Sequence, residues 1–179
     1  MYKFSQGFTF IELIIAMSIL FITTTMAIPA MTSTLSNTRQ NGEIALLMSQ
    51  LQLARTEAIF QNKNMMMCKS SDKSQCQTDI SWDQGWLIFN DKNNNKQRDN
   101  DEKVIFAQGK IVHVAKIFYN SFSGSSNYVR FYNRGYSYTN GTFTICHPFD
   151  LSSTKTVVLS RTGRVRLDET PNKLYQNKC

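Results

Sequence analysis

An apolar stretch from Phe8 to Met31 constrains the fold of this chain more than any other feature. It is interrupted only by Glu12, Ser18 and several threonines. A helix needs about 20 predominantly apolar residues to cross a bilayer, so the stretch is predicted to be an export signal or a transmembrane helix over residues 8–31. With 179 residues in total, the remainder suits one compact head.

The seven residues before this stretch, 1–7, form a short leader that contains Lys3. A conventional signal peptide is cut after its apolar core. Here the best cleavage position lies before the core, between Gly7 and Phe8. The order therefore predicts that the leader is removed and the apolar helix is kept.

Glu12 is the one carboxylate within the apolar stretch. A charge at that depth costs on the order of several kcal/mol unless it finds a partner. Cleavage would free an α-amino group at Phe8, and that cation on a neighbouring subunit would neutralise Glu12 and set the register of a packed filament. The alternative is a carboxylate near a helix end that snorkels to the membrane interface.

Four cysteines in the head suggest two disulfides. Cys68 and Cys76 are close in sequence, and Cys146 and Cys179 would tie the chain end to a strand, although four cysteines allow three connectivities. Disulfides indicate an oxidising compartment. Because there is no C-x-x-C pair and the only histidines are His113 and His147, we expect no zinc site.

Hydrophobic periodicity divides the rest of the chain. Residues 32–62 are predicted to continue the helix, with an apolar stripe at helical spacing formed by Ile44, Leu47, Leu51, Ala54 and Ala58. Residues 63–179 are predicted to form a β-rich head. Its expected strands are residues 65–67, a hairpin of 82–89 and 104–106, then 111–117, 128–132, 142–146, 156–160 and 164–167.

The sequence at the predicted cleavage site carries a family resemblance. Gly7-Phe8-Thr9-Phe10-Ile11-Glu12-Leu13 resembles the processing motif G-F-T-x-x-E-L of the type IV pilin superfamily. The resemblance implies cleavage after Gly7 by a prepilin peptidase, N-methylation of Phe8, and Glu12 as the filament-forming glutamate. It also implies a single-pass inner-membrane precursor with a periplasmic head, later assembled with other major and minor pilins into an extracellular pilus.

Further segments resemble the GspH/FimT branch of minor pilins and pseudopilins. They are residues 54–59, Cys68, residues 85–91 and residues 159–166. This resemblance implies an α+β type IV pilin fold, in which a long N-terminal helix packs on a head of two small antiparallel β-sheets.

The C-terminal arm, residues 151–179, carries a net charge of +4 within a total of +7. Such a charge attracts polyanions. Arg164 and Arg166 should share one face of a strand because side chains alternate, and Gly163 would allow a turn that presents Arg161 nearby. Together with Lys155 and Lys173, these side chains are the candidate phosphate-binding residues, since guanidinium groups grip phosphates through bidentate bonds.

Three tyrosines, Tyr136, Tyr138 and Tyr175, are candidate stacking partners if the ligand is single-stranded. Against a binding role, the arm would be an ordinary cationic face, or its arginines would pair with Asp168 and Glu169.

Gly163-Arg164-Val165-Arg166 resembles the G-R-x-R motif of FimT-like pilins, in which a basic C-terminal region contacts DNA. The leading hypothesis is therefore a FimT-like minor pilin that binds extracellular DNA without sequence preference for uptake in natural transformation. The alternative is a structural minor pilin or type II secretion pseudopilin that primes filament assembly without binding DNA.

A calcium loop and an enzyme active site are the two other kinds of site to consider. Oxygen side chains in residues 91–102 follow the spacing of an EF-hand calcium loop, but the position that needs glycine holds Lys96, and Lys92 and Arg98 add positive charge. A solvated hairpin tip is the preferred interpretation, with neither metal nor cofactor. No Ser-His-Asp, Cys-His or paired-carboxylate pattern stands out, so we expect no enzyme activity.

Overall fold

The computed structural model describes residues 7, 9–148, 150–169, 177 and 179, apart from the side chains of residues 26–30, 32, 33 and 151. It contains one long helix, α1 (Phe10–Gln61), and eight strands. The strands are β1 (Met65–Lys69), β2 (Trp86–Asn90), β3 (Val104–Gln108), β4 (Lys116–Ser121), β5 (Tyr128–Phe131), β6 (Gly141–Cys146), β7 (Lys155–Leu159) and β8 (Val165–Asp168). The chain divides into two compact units, Met1–Thr38 and Arg39–Cys179.

In the first unit, α1 begins directly after Thr9. The Thr9 hydroxyl accepts a hydrogen bond from the backbone N–H of Glu12 at 3.3 Å. This contact satisfies one of the free N–H groups of the first turn. Large apolar side chains on this part of the helix are exposed, among them Phe10 at 79% and Phe21 at 71%. They form an exposed apolar surface on the described part of this unit.

Among the described residues, no helix reaches the combination of length and hydropathy that a membrane span requires. The transmembrane helix predicted over residues 8–31 stays a prediction, because Phe8 and the side chains of residues 26–30 lie outside the described part of the chain. Hydroxyl-bearing side chains of this region donate hydrogen bonds to helix carbonyls: Ser18 to Ile14 at 2.8 Å, and Thr24 to Leu20 at 2.9 Å.

The second unit contains two four-stranded antiparallel sheets. The first has the order β3-β2-β1-β5 and the second has the order β4-β6-β7-β8. Every pairing is antiparallel. The predicted β2–β3 hairpin is present, but its first strand starts at Trp86 and not at residue 82, since Trp82–Gln84 form a short 3-10 helix.

The core of this unit lies between α1 and the two sheets. The predicted stripe of α1 is confirmed, since Ile44, Leu47, Leu51, Ala54 and Ala58 are at most 2% exposed. They share one cluster with inward side chains of both sheets, such as Met67, Ile88, Phe143 and Val157. A smaller cluster, Met66, Cys68, Leu87 and Phe89, covers the opposite face of the first sheet.

The strand predicted over residues 111–117 is wrong. Ile111 and Val114 are buried at 3% and 7% in an irregular segment, and β4 starts only at Lys116. The N–H of Ile111 is donated to the carbonyl of Asp83 at 2.7 Å, and the N–H of Ile117 to the Asp83 carboxylate at 3.1 Å. Asp83 thus accepts one hydrogen bond from the irregular segment and one from β4.

Both predicted disulfides are present. Cys68 pairs with Cys76 and Cys146 pairs with Cys179, with Cα–Cα distances of 5.6 and 5.5 Å. The second bond fixes the last residue of the chain to the end of β6.

Candidate functional site

The turn between β7 and β8 presents the first candidate cations. The N–H of Ser160 donates a hydrogen bond to the carbonyl of Arg164, and the N–H of Gly163 donates one to the carbonyl of Ser160, both at 2.9 Å. Gly163 has φ +78°, a conformation that glycine adopts without the strain of a Cβ. The turn leaves Arg161 and Arg164 exposed.

Arg166 lies on the outer face of the second sheet. Its neighbours Val165 and Leu167 alternate with it, and Val165 is only 8% exposed. Across the pairing, Arg166 lies opposite Val158. Arg166 is exposed on β8, which is an edge strand of this sheet, and Arg164 is exposed in the turn immediately before it.

The ion pairs of this region separate the candidates. Lys155 bonds the side chain of Asn41 on α1 at 2.9 Å and approaches Glu169 at 3.8 Å, so its charge is already engaged. Within the described part of the chain, no carboxylate oxygen lies within 4.0 Å of Arg161, Arg164 or Arg166. The expected alternative, pairing of these arginines with Asp168 and Glu169, is not observed.

A cluster of tyrosines adjoins the β7–β8 turn, Ser160–Arg164, which is the arginine turn. The rings of Tyr132 and Tyr136 are stacked at 4.9 Å with an interplanar angle of 8°. Tyr138 meets both edge-on, at 5.3 and 5.1 Å. The guanidinium of Arg161 lies over the Tyr138 ring at 4.8 Å, within the range of a cation–π contact.

Backbone contacts hold the two segments together. The N–H of Ser137 is donated to the carbonyl of Arg161 at 2.9 Å. A Cβ on Gly163 would lie 1.9 Å from the carbonyl oxygen of Gly135, so only glycine permits this approach. The sequence did not establish the distance between Arg161 and Tyr138, and the fold makes them direct neighbours.

Arg55 of α1 is a positioning residue that the sequence interpretation missed. Its Nε donates to the carbonyl of Gly135 at 2.9 Å, and its Nη2 to the carbonyl of Thr162 at 3.2 Å. One helix side chain therefore anchors both the turn at Tyr132–Tyr136, the tyrosine turn, and the arginine turn. The available signal was its position between Ala54 and Ala58 of the apolar stripe, where a charged side chain needs a specific partner.

Residues 91–102, the loop with calcium-loop spacing, are held by hydrogen bonds and an ion pair within the protein. The Glu102 carboxylate accepts the N–H groups of Lys92 at 2.6 Å and Asp99 at 3.1 Å. Asp91 forms a salt bridge with Arg130 at 2.5 Å, with its side chain fully buried. Among the described residues, no three His, Cys, Asp or Glu side chains are grouped as a metal site requires.

The comparisons with known proteins identify the family. The sequence model described as Type II transport protein GspH matches residues 43–163, more than half of the chain. The chain belongs to the GspH family. A second model, the prokaryotic N-terminal methylation motif, matches residues 2–28. No curated protein sequence matches significantly.

Two solved structures resemble this GspH-family chain. The type IV minor pilin FimU of Pseudomonas aeruginosa is 21% identical, with a TM-score of 0.52, over 69% of this chain and 84% of that one. The minor pseudopilin EpsH from the type II secretion system of Vibrio cholerae is 11% identical, with a TM-score of 0.53, over 76% and 97%. At these identities the likeness shows the fold, and the predicted α+β type IV pilin fold is confirmed.

As a GspH-family chain with an N-terminal methylation motif, the protein is a structural subunit of the pilin and pseudopilin type and not an enzyme. The matched motif includes Gly7, Phe8 and Glu12. Gly7 and Glu12 are exposed, whereas Phe8 lies outside the described residues. Cleavage after Gly7, methylation of Phe8 and the filament role of Glu12 stay predictions.

The structure thus brings together part of the predicted site. Arg161, Arg164 and Arg166 lie on one hairpin with Tyr136 and Tyr138 beside it. Lys155 is on the same hairpin but is bound to α1 and Glu169. Lys173 and Tyr175 lie outside the described residues.

Proposed function

We propose that this GspH-family protein is a FimT-like minor pilin that binds extracellular DNA through its phosphates and serves DNA uptake in natural transformation. The observation that carries the proposal is the set of exposed arginines on the β7–β8 hairpin, Arg161, Arg164 and Arg166, which have no carboxylate partner among the described residues. Unpaired guanidinium groups on a rigid turn are available for phosphate oxygens.

The spacing on the hairpin suits an extended polyanion. Residues two apart on an extended backbone are separated by about 6.6–6.8 Å, so Arg166 on β8 and Arg164 immediately before β8 form a short row of cations. Arg161 extends this row at the turn. Since phosphate contacts carry no base information, binding is expected to be independent of sequence.

The test uses the full-length chain in a neutral detergent and follows the anisotropy of a labelled DNA duplex as salt is varied. Each phosphate contact contributes about −0.9 to the slope of log K against log salt. Removing two contacts by Arg164→Gln with Arg166→Gln should therefore weaken binding at low salt and reduce the magnitude of the slope by about 2.

The matched control is Lys63→Gln with Lys110→Gln, which removes the same charge from two other exposed positions. It should change affinity little. If the control weakens binding as much as the arginine variant does, net charge and not the hairpin attracts DNA, and the proposed site is wrong.

We further infer that the N-terminal region follows the route implied by the methylation motif, with cleavage after Gly7 by prepilin peptidase and N-methylation of Phe8. The inner membrane would hold the precursor, and Glu12 would pair with the N-terminus of a neighbouring pilin on assembly. The exposed apolar side chains of the first unit support such packing. Mass spectrometry of the mature N-terminus, with an inactive Gly7→Val control, tests the cleavage.

A second candidate function is supported by the family itself. The matching family is described as a type II transport protein. In this structural role the hairpin would contact another subunit instead of DNA, and that contact would help to prime a filament. A full-length chain with no measurable affinity for duplex or single-stranded DNA at low salt would favour this structural role over the first proposal.

A further inference from the structure

Tyr138 gives the proposed DNA interface a second kind of contact. We propose that the exposed pair Tyr138–Arg161 stacks an unpaired base, so that the subunit prefers single-stranded segments of DNA. This inference rests on the proposed DNA-binding function and adds the class of nucleic acid that the site selects.

Exposure distinguishes Tyr138 within the tyrosine cluster. Its side chain is 47% exposed, whereas Tyr132 and Tyr136 stack on one another and are partly buried. An aromatic ring that remains open to solvent on a protein surface is a platform on which any base can stack. Arg161 over the same ring adds a planar cation, which can stack on a base while its N–H groups reach a phosphate.

The backbone on both sides of Tyr138 is fixed. Ser137 and Thr139 are buried at 0% and 8%, and their hydroxyl groups lie 3.0 Å apart. The Tyr119 hydroxyl, buried in the core, donates to the Thr139 carbonyl, and the Thr139 hydroxyl accepts the N–H of Arg130 at 2.8 Å. A ring presented from such a backbone needs little further ordering when a ligand binds.

Charge and aromatic surface are therefore adjacent. The Arg161 carbonyl accepts the N–H of Ser137, which ties the residue before Tyr138 to the arginine turn. A DNA strand whose phosphates contact Arg164 and Arg166 would bring its bases to the Tyr138 side of the hairpin only if those bases are unpaired, because a duplex keeps them stacked inside.

The experiment compares three labelled ligands on the full-length chain in neutral detergent: a 20-nucleotide oligothymidine, an abasic strand of the same length, and a 20-base-pair duplex. The abasic strand carries the same phosphates as oligothymidine without its bases. We expect oligothymidine to bind about 5-fold or more tightly than the abasic strand, as the loss of one base stack implies.

Tyr138→Leu keeps an apolar side chain but removes the ring, and it should weaken oligothymidine binding by about 5-fold or more. Duplex binding should change by less than about twofold, because it depends on phosphates. Tyr138→Phe should retain both affinities. The matched control Phe122→Leu removes another exposed aromatic ring, 75% exposed, and should change neither.

Equal affinity of the wild-type chain for oligothymidine and the abasic strand would overturn the inference, even if Tyr138→Leu failed to fold. So would an equal loss of oligothymidine and duplex binding in a folded Tyr138→Leu chain. If duplex binding depends on Arg164 and Arg166 while Tyr138→Leu has no effect, only the stacking inference fails. If none of the three ligands binds, the proposed function itself fails.

Discussion

Alanine substitutions at three glycines should separate backbone strain from the close approach of the arginine and tyrosine turns. Gly124, Gly135 and Gly163 all have positive φ, at +91°, +77° and +78°. Alanine in the left-handed region costs about 1–2 kcal/mol, so each substitution should destabilise the protein by at least that amount. The contacts that a new Cβ would make differ from one position to the next.

A Cβ at Gly124 would meet nothing within 4 Å, so Gly124→Ala should cost only about 1–2 kcal/mol. At Gly135 the nearest atom is the terminal methyl of Ile59 at 2.6 Å, which can rotate away. At Gly163 it is the backbone carbonyl of Gly135 at 1.9 Å. Moving that backbone adds the cost of overpacking, about 1–3 kcal/mol, for a total of about 2–5 kcal/mol.

The free energy of unfolding is measured by urea titration of the full-length chain in neutral detergent. Trp82 and Trp86 are buried at 2% and 0%, and their fluorescence reports the head. The expected order of destabilisation is Gly163→Ala, then Gly135→Ala, then Gly124→Ala. If Gly163→Ala costs no more than Gly124→Ala, the two turns are not held in contact as described.

Three further predictions concern the rest of the head. Replacing Cys146 and Cys179 by serine opens a loop of 33 residues and should cost about 3–4 kcal/mol; a loss below about 1 kcal/mol in the same urea titration would contradict it. Arg130→Met leaves the buried Asp91 carboxylate without its cation and should cost about 3–5 kcal/mol, whereas adding Asp91→Leu should recover part of the loss. Hydrogen bonds from the backbone N–H groups of Gln75 and Ser74 lower the pKa of Asp72 to about 2. The contribution of the Asp72 carboxylate to folding stability is therefore present above about pH 4 and is lost as the pH falls towards 2. Because this carboxylate is exposed, the contribution is at most about 1 kcal/mol, and an NMR titration midpoint near 4 would refute the shift.

The parts of the fold that the sequence predicted well are those fixed by local pattern. The helical stripe around Leu47 and Leu51 follows the 3.6-residue period, and the β2–β3 hairpin follows two short apolar runs separated by a polar loop. The segment from Ile111 to Val114 was misassigned, because apolar residues buried in a loop have the same composition as those buried in a strand. The carbonyl of Asp83, distant in sequence, accepts the N–H of Ile111, and the local pattern does not reveal this contact.

The candidate site was predictable in its charge but not in its assembly. The basic residues of the arm are visible as a cluster in the sequence, and the turn at Gly163 follows from its lack of a side chain. The contact between Arg161 and Tyr138 depends on two turns that are brought together by Arg55 of α1. No local pattern encodes such a contact, because its partners come from three separate segments of the chain.

This geometry also bears on how such a subunit would act. Lys155 is bound to Asn41 and Glu169, which leaves Arg161, Arg164 and Arg166 as the described cations of the hairpin that are open to phosphate. Three contacts correspond to a salt slope of only about −2.7, so binding by one subunit should be weak and sensitive to salt. Useful retention of DNA then requires several subunits acting on one molecule, since linked weak sites gain affinity through effective concentration. A filament would supply that arrangement, so the filament assembly proposed for the N-terminal region would be required for the binding role as much as for the structural one.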